Sequence, residues 1–344
     1  MNAVGYSSPF VPAEWIAAHG LQPHRLRLHP TEKLTRGICP YAGALMDAAL
    51  SNIPGGRVPL LGTSSAEVAG DARHCLFQAV AHRSAISAHG AECVLDSAPR
   101  SDILGVVLTT ACDQMRYVAA MLEQRGSRPV FLLNVPSTWQ TPAARQLYLD
   151  ELRRLGRFLV HLGGKEPSDT ELANVMLASD RTREENGRRP TARGAREGIP
   201  LAILGGPLME TDRDFFELVE RAGGRIVLDA TEDGERTLPR PFDPTRVGSD
   251  PLKELADAYF DGIPDAFRRP NTKLYDWLGR ELAARQIRGI ILRRYLWCDL
   301  WHAELHRLKQ WSPTPVLEID VGPDDTGAPN RVQGRIEAFL EMLK

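Results

Sequence analysis

Short apolar runs rich in branched residues alternate along this chain with longer amphipathic stretches, and that alternation is the signature of a parallel α/β architecture. In the first half the candidate strands are Val58–Leu61, Ile103–Leu108 and Pro129–Leu133. In the second half they are Pro200–Leu204, Arg225–Leu228, Arg288–Leu292 and Pro315–Ile319. Their almost continuous apolarity suits strands buried on both faces of a sheet. Between the halves, 141–162 and 168–186 read as two consecutive helices, with Leu147, Leu152, Leu155 and Leu159 forming an apolar stripe. Pro142 fits a first helical turn, Gly163-Gly164 a helix stop, and Ser168 with Glu171 a capping box. The polar, Gly- and Arg-rich stretch 187–198 then marks a domain boundary.

A chain of 344 residues accommodates two or three such units. Its formal net charge of -2 carries no electrostatic footprint for nucleic acid. No apolar run approaches the roughly 20 residues needed to span a bilayer. The N-terminus also lacks the basic-then-apolar order of a signal peptide. We therefore expect a cytoplasmic protein with neither membrane nor nucleic-acid partner. Its five cysteines (Cys39, Cys75, Cys93, Cys112 and Cys298) are then expected to be reduced thiols.

Two of these cysteines stand in echoing settings. Ile103-Leu-Gly-Val-Val-Leu108 leads to Cys112-Asp113, and Ile287-Arg-Gly-Ile-Ile-Leu292 leads to Cys298-Asp299. Each is a buried strand containing a glycine, followed within a few residues by Cys-Asp. Ligands of parallel α/β sheets gather beyond the carboxyl ends of the strands. Two domains would thus each direct a cysteine into a shared cleft. Spacing alone leaves two readings open, thiolate ligands or small buried hydrophobes. Cys75 and Cys93 have no such setting and read as core residues.

Other chemistries find little support. Gly163-Gly164-Lys165 is followed by Glu166 where a P-loop needs Ser or Thr, and Gly205-Gly206-Pro207 lacks dinucleotide-site spacing. His302 and His306 are four apart but do not complete an H-E-x-x-H pattern. The loop-like segment 232–250 is placed to lie over a ligand site.

Taken in succession, several segments carry a family resemblance. They are the opening Gly5-Tyr-Ser-Ser-Pro-Phe-Val-Pro-Ala-Glu-Trp, then Gly37-Ile-Cys39-Pro-Tyr, then Thr110-Ala-Cys112-Asp-Gln-Met-Arg. Trp297-Cys298-Asp299, Pro315-Val-Leu-Glu-Ile-Asp320 and Arg335-Ile-Glu-Ala-Phe-Leu-Glu341 follow. The chain resembles the 2-hydroxyacyl-CoA dehydratase family, which also contains subunits of ATP-dependent benzoyl-CoA reductase. The stretch Asp229–Arg236 departs from that pattern, lacking a cysteine that members often carry there.

The resemblance implies two flavodoxin-like parallel-sheet domains with a helical N-terminal part and a helical linker, and a [4Fe-4S] cluster in the interdomain cleft. It implies Cys39, Cys112 and Cys298 as cluster ligands. The expected organisation is 1–50 as an N-terminal helical segment carrying the first ligand and 51–165 as the first α/β domain. Residues 166–198 would be the linker and 199–344 the second domain. Ser7, Asp113, Gly206 and Asp299 are further candidates for substrate or supporting contacts, with helix capping the alternative for the two aspartates. The implied chemistry is low-potential, single-electron reduction or dehydration of a CoA thioester. The implied partners are a homologous second cluster subunit or a second copy of the chain, and a separate ATP-hydrolysing activator. Two alternatives stay open: a double-cubane type reductase of small molecules, and a non-catalytic carrier of a cluster on the same fold.

Overall fold

The computed structural model describes residues 2–31, 37–50, 103–126, 128–188, 197–322 and 329–344. The expected strand at Val58–Leu61, and Cys75 and Cys93, lie outside these residues. The first sheet is built from β1 (Ala3–Tyr6), β2 (Gln22–Arg25), β3 (Ile103–Thr109) and β4 (Val130–Leu133), in the order β2-β1-β3-β4. The second is built from β5 (Ile199–Gly205), β6 (Gly224–Ala230), β7 (Gly289–Tyr295) and β8 (Val316–Val321), in the order β6-β5-β7-β8. Every pairing in both sheets is parallel. Among the described residues the two sheets thus share one topology, with the second strand, first, third and fourth side by side. The echo around Cys112 and Cys298 is therefore topological, because β3 and β7 are each the third strand of their sheet.

The echoed glycines have a packing reason. A side-chain carbon added at Gly105 of β3 would come within 2.9 Å of Leu162. At Gly289 of β7 it would come within 2.6 Å of Leu343 and 2.9 Å of Phe339. In each sheet the third strand is crossed closely by the end of a helix, which only glycine admits.

The first fifty residues were expected to be helical, and here the structure differs. They supply α1 (Ala13–Ala18) and α2 (Pro40–Leu50), but also both β1 and β2. These strands escape a hydrophobic pattern because each is four residues long, and β2 reads Gln-Pro-His-Arg. Pro23 is tolerated because β2 lies at the edge of its sheet, where a missing N–H interrupts no ladder.

A helical layer packs on the first sheet. It comprises α4 (Pro142–His161), α5 (Asp169–Arg188) and, returning from the second half of the chain, α7 (Pro244–Ser249) and α8 (Pro251–Gly262). Thr141 caps α4, accepting from the N–H of Ala144 at 3.2 Å. The Ser168–Glu171 capping box is closed in both directions, at 2.7 and 3.3 Å. Leu152, Leu155 and Leu159 of α4 are buried as expected. Leu147 is exposed, and Tyr148 takes its place in the stripe, one turn before Leu152.

Two elements of this layer, α5 and α8, meet at Glu14 of α1, which is 2% exposed. Its carboxylate accepts from Ser179 Oγ at 2.8 Å and Arg183 Nη1 at 2.6 Å on α5, and from Tyr259 Oη at 2.6 Å on α8. Burial alone raises the pKa of Glu14, but the Arg183 charge and these donors reverse the shift and leave it below the ordinary 4.5. A depressed carboxylate contributes stability above its unfolded-state pKa, and loses it as pH falls through the folded-state one. Glu14→Gln leaves the buried Arg183 charge short of a partner and is expected to cost about 3 kcal/mol at neutral pH. Chemical denaturation across pH checks this, the difference from wild type shrinking in acid. A variant within about 0.5 kcal/mol of wild type, as for ordinary surface substitutions, would show this anchor to be dispensable.

Candidate functional site

Each of the three cysteines singled out above stands immediately before a helix. Cys39 precedes α2, Cys112 is the N-cap of α3 (Asp113–Arg125), and Cys298 is the N-cap of α10 (Asp299–Trp311). In the last case the chain is turned by Trp297, whose backbone is left-handed at φ 69°, a conformation uncommon outside glycine. The three cysteines line one cavity where the carboxyl edges of the two sheets meet, with Ser7 and Gly206 beside them. Its empty space is about 830 Å³, counting the part open to solvent. Among the described residues no three acidic, His or Cys side chains close on a single ion.

The cysteine-bearing turns of the first sheet are tied to each other. The backbone N–H of Cys39 donates to Gln114 Oε1 at 3.3 Å, two residues beyond Cys112. Burial pushes all three thiols up, Cys112 to about 11 and Cys298 to about 12. The opposing influence is the N–H groups at the helix starts: Tyr41 and Ala42 for Cys39, Gln114 and Met115 for Cys112, and Trp301 for Cys298. Neither Cys112 nor Cys298 closes a full side-chain cap hydrogen bond, so these N–H groups act electrostatically. Mutual repulsion adds to the upward push. Cys298 feels Cys39 and Cys112, and all three thiols feel Glu232. Such a site keeps its sulfurs protonated until a positively charged soft group displaces the protons, when the same helix starts favour the thiolates.

Glu232 was not singled out in the sequence reading, where it appears only as one end of a segment expected over a ligand site and within the stretch Asp229–Arg236 that lacks a family cysteine. It follows β6 and lines the same cavity. Its main chain is held on three sides. Its N–H donates to Gly206 O at 3.1 Å, and its carbonyl accepts from Arg25 Nη2 and Thr237 Oγ1, each at 2.9 Å. Arg25 closes β2, so this contact joins the two sheets across the cavity. Burial, with help from Asp265, pushes the Glu232 carboxyl up to about 8, against the pull of Arg25 and Arg236.

The wall behind Glu232 is pinned by Arg236, whose side chain is fully buried. Arg236 donates to the carbonyls of Ala230 at 2.9 Å, Pro264 at 2.8 Å and Gly205 at 3.2 Å, and to Asp265 Oδ2 at 2.5 Å. A second buried set backs β7, where Asp212 accepts from both Arg293 and the Tyr295 hydroxyl. That hydroxyl also accepts from the N–H of Met209 at 3.0 Å. Tyr295 in turn stacks on Tyr41 from the first half, with ring centroids 6.4 Å apart.

Asp113 and Asp299 fall outside the cavity lining. Both are the first residues of their helices and both are exposed. The Asp113 side chain is 98% exposed and pairs with Arg116 at 3.3 Å. A carboxylate in a first turn complements the helix dipole, which accounts for both without a contact to ligand. The Asp299 charge is still felt at Cys39. Arg335 donates to the Glu318 carbonyl at 2.7 Å, and His302 and His306 are exposed on α10.

A family model described as 2-hydroxyglutaryl-CoA dehydratase, D-component, matches residues 9–188 and 183–343. The chain belongs to this family. Between them the two matches take in every site residue named above except Ser7, which lies two positions before the first begins. A search of curated proteins found no match. Membership in the D-component family makes the chain a dehydratase-type component of an enzyme. No described helix is long and apolar enough to cross a membrane.

The wall of this D-component site depends on Arg236. Arg236→Met leaves Asp265 and three buried carbonyls without their donor, and is expected to cost about 3 to 5 kcal/mol. Thermal and denaturant unfolding measure this. Near-wild-type stability would mean that the loop bearing Glu232 is held by other contacts.

Proposed function

We propose that this chain is the iron–sulfur subunit of an enzyme that dehydrates or reduces CoA thioesters by low-potential, single-electron chemistry. The observation that supports it best is the meeting of Cys39, Cys112 and Cys298, each from a helix N-terminus, in one cavity between the two sheets. Sulfurs set around a cavity suit a multi-iron group better than a single ion. In that reading Cys39, Cys112 and Cys298 hold a [4Fe-4S] cluster, which when bound supplies electrons at low potential.

The remaining residues shape the space beside it. The Ser7 hydroxyl is buried and has no hydrogen-bond partner among the described residues, so it is free to donate to an oxygen of a bound thioester. Gly206 has no side chain, and a carbon added there would lie 3.4 Å from the Trp301 ring. Its absence keeps the end of β5 open to a ligand. Tyr41, Tyr295 and Trp301 are buried and form an apolar wall that excludes water. Arg294 brings a positive charge to the lining, balanced by Glu318 at 3.1 Å and Asp320 at 2.9 Å.

The D-component family implies a second component and an activator. The lack of a phosphate-binding motif agrees with ATP being hydrolysed by a separate protein, in the cytoplasm, and with the cluster subunit working beside a homologue or its own copy. The full chain, purified and reconstituted without oxygen, is expected to hold about four irons and four sulfides. Cys39→Ala, Cys112→Ala and Cys298→Ala should each lower iron content and alter the spectrum of the reduced protein, whereas Cys75→Ala and Cys93→Ala should do neither. No iron in the wild type, or full iron in all three ligand variants, rejects the assignment.

A further inference from the structure

Cys39, Cys112 and Cys298 make three donors; the two-fold repeat of the fold points to a fourth. In the first sheet Cys39 follows the second strand and Cys112 the third. In the second sheet Cys298 follows the third strand, and the residue that follows the second strand into the cavity is Glu232. Each sheet therefore sends one donor from its second strand and one from its third.

Two further observations concern Glu232 alone. Its carboxylate forms no hydrogen bond and no ion pair within 4 Å among the described residues, and the half-buried residue lines the cavity. Its backbone, by contrast, is fixed by Gly206, Arg25 and Thr237, as described above, and Arg236 anchors the turn from beneath. A carboxylate on a rigid turn, lining one cavity with three thiols and held by no described side chain, is placed to serve as a metal ligand. Arg25 and Arg236 are close enough to favour its charged form, yet neither pairs with it directly.

Resting on the cluster assignment made above, we propose that Glu232 is the fourth protein ligand, completing a set of three thiolates and one carboxylate. The iron it binds then differs from the other three, having a harder oxygen donor in place of sulfur. Loading the site exchanges the protons of three thiols, and of the carboxylic acid where it is protonated, for metal–ligand bonds, with no change in the oxidation state of the protein.

The test uses the full chain reconstituted without oxygen, as wild type, Glu232→Gln and Glu232→Cys. Iron content is followed during mild ferricyanide oxidation, and the electron paramagnetic resonance of the reduced protein is recorded with and without cyanide. Glu232→Gln should load iron and then lose one iron on oxidation about tenfold faster than wild type or more, as losing even an outer partner weakens metal sites on that scale. It should also bind cyanide at the opened iron, changing a spectrum that cyanide leaves unchanged in the wild type. Glu232→Cys should keep its iron under oxidation and show a shifted spectrum. Should the Gln variant fail to fold, the Cys variant decides the matter: a spectrum identical to wild type overturns the proposal. An acid–base role for Glu232 alone would leave all these readouts unmoved, and that result also overturns it. If the wild type holds iron while its spectrum already responds to cyanide, the carboxylate is no ligand but the cluster assignment stands. If the wild type holds no iron, the cluster assignment itself falls.

Discussion

In a parallel sheet every strand delivers whatever follows it to the same edge, and the whole site rests on this constraint. Here two sheets of identical strand order bring their carboxyl edges to one cavity. Ser7 and Gly206 follow the two first strands, Cys39 and Glu232 come after the two second strands, and Cys112 and Cys298 come after the two third strands. Six residues spread over some three hundred positions of sequence become neighbours without any one segment containing a motif. The helix that starts after each cysteine adds a patch of N–H groups to the same edge. Topology thus fixes both where the donors lie and the electrostatic setting in which they work.

Such an edge is costly to build, because it gathers buried polar groups. Asp229 is pushed up to about 6 and Glu232 to about 8, each mainly by burial. Thr231 opposes this at Asp229, and the charges of Arg25 and Arg236 oppose it at Glu232, while the buried arginines themselves are satisfied chiefly by main-chain carbonyls. Arg236 spans the ends of β5 and β6 through Gly205 and Ala230, and Arg268 donates to Pro136 at 2.9 Å and Phe260 at 2.5 Å. The Arg268 guanidinium also lies between the rings of Phe10 and Phe260, 4.6 and 4.3 Å from their centroids. Buried ion pairs are weak sources of net stability, but losing one partner is severe, so they enforce a single geometry. That property suits a wall that must hold ligands in register.

Much of this was legible in the sequence, and the omissions have physical causes. Strands β3, β5 and β7 announce themselves as buried runs of apolar, branched residues, and β4, β6 and β8 carry similar apolar runs although they are less fully buried. Strands β1 and β2 do not, being short, with an edge strand whose side chains are half-buried polar groups. The cysteines were recognisable in the company of their neighbours, the echoed Cys-Asp pairs above all. The aspartates of those pairs stand exposed at helix starts, the alternative kept open for them, because a helix start favours an acidic residue whether or not a ligand is near. The stretch Asp229–Arg236 stood out only for the cysteine it lacks, and within it nothing local distinguishes Glu232 from Asp233 or Glu235. Its place in the cavity is set by Arg25 and Arg236, contacts that exist only after the sheets have formed.

The two halves of the repeat have been kept alike where packing demands it and allowed to differ where ligands bind. Gly105 and Gly289 sit at corresponding points of the third strands, each because a helix end passes too close for a side chain. Past the strands the correspondence becomes one of position and no longer of residue type. The first strands end in Ser7 on one side and Gly206 on the other, a hydroxyl facing an open space. The second strands lead to a thiol on one side and a carboxyl on the other. A symmetric frame with asymmetric turns leaves the end of β5 without a side chain at Gly206, while the turns bearing Cys39 and Cys112 are tied through the Cys39 N–H and Gln114. The asymmetry of the cavity follows from that difference in turns on a shared fold.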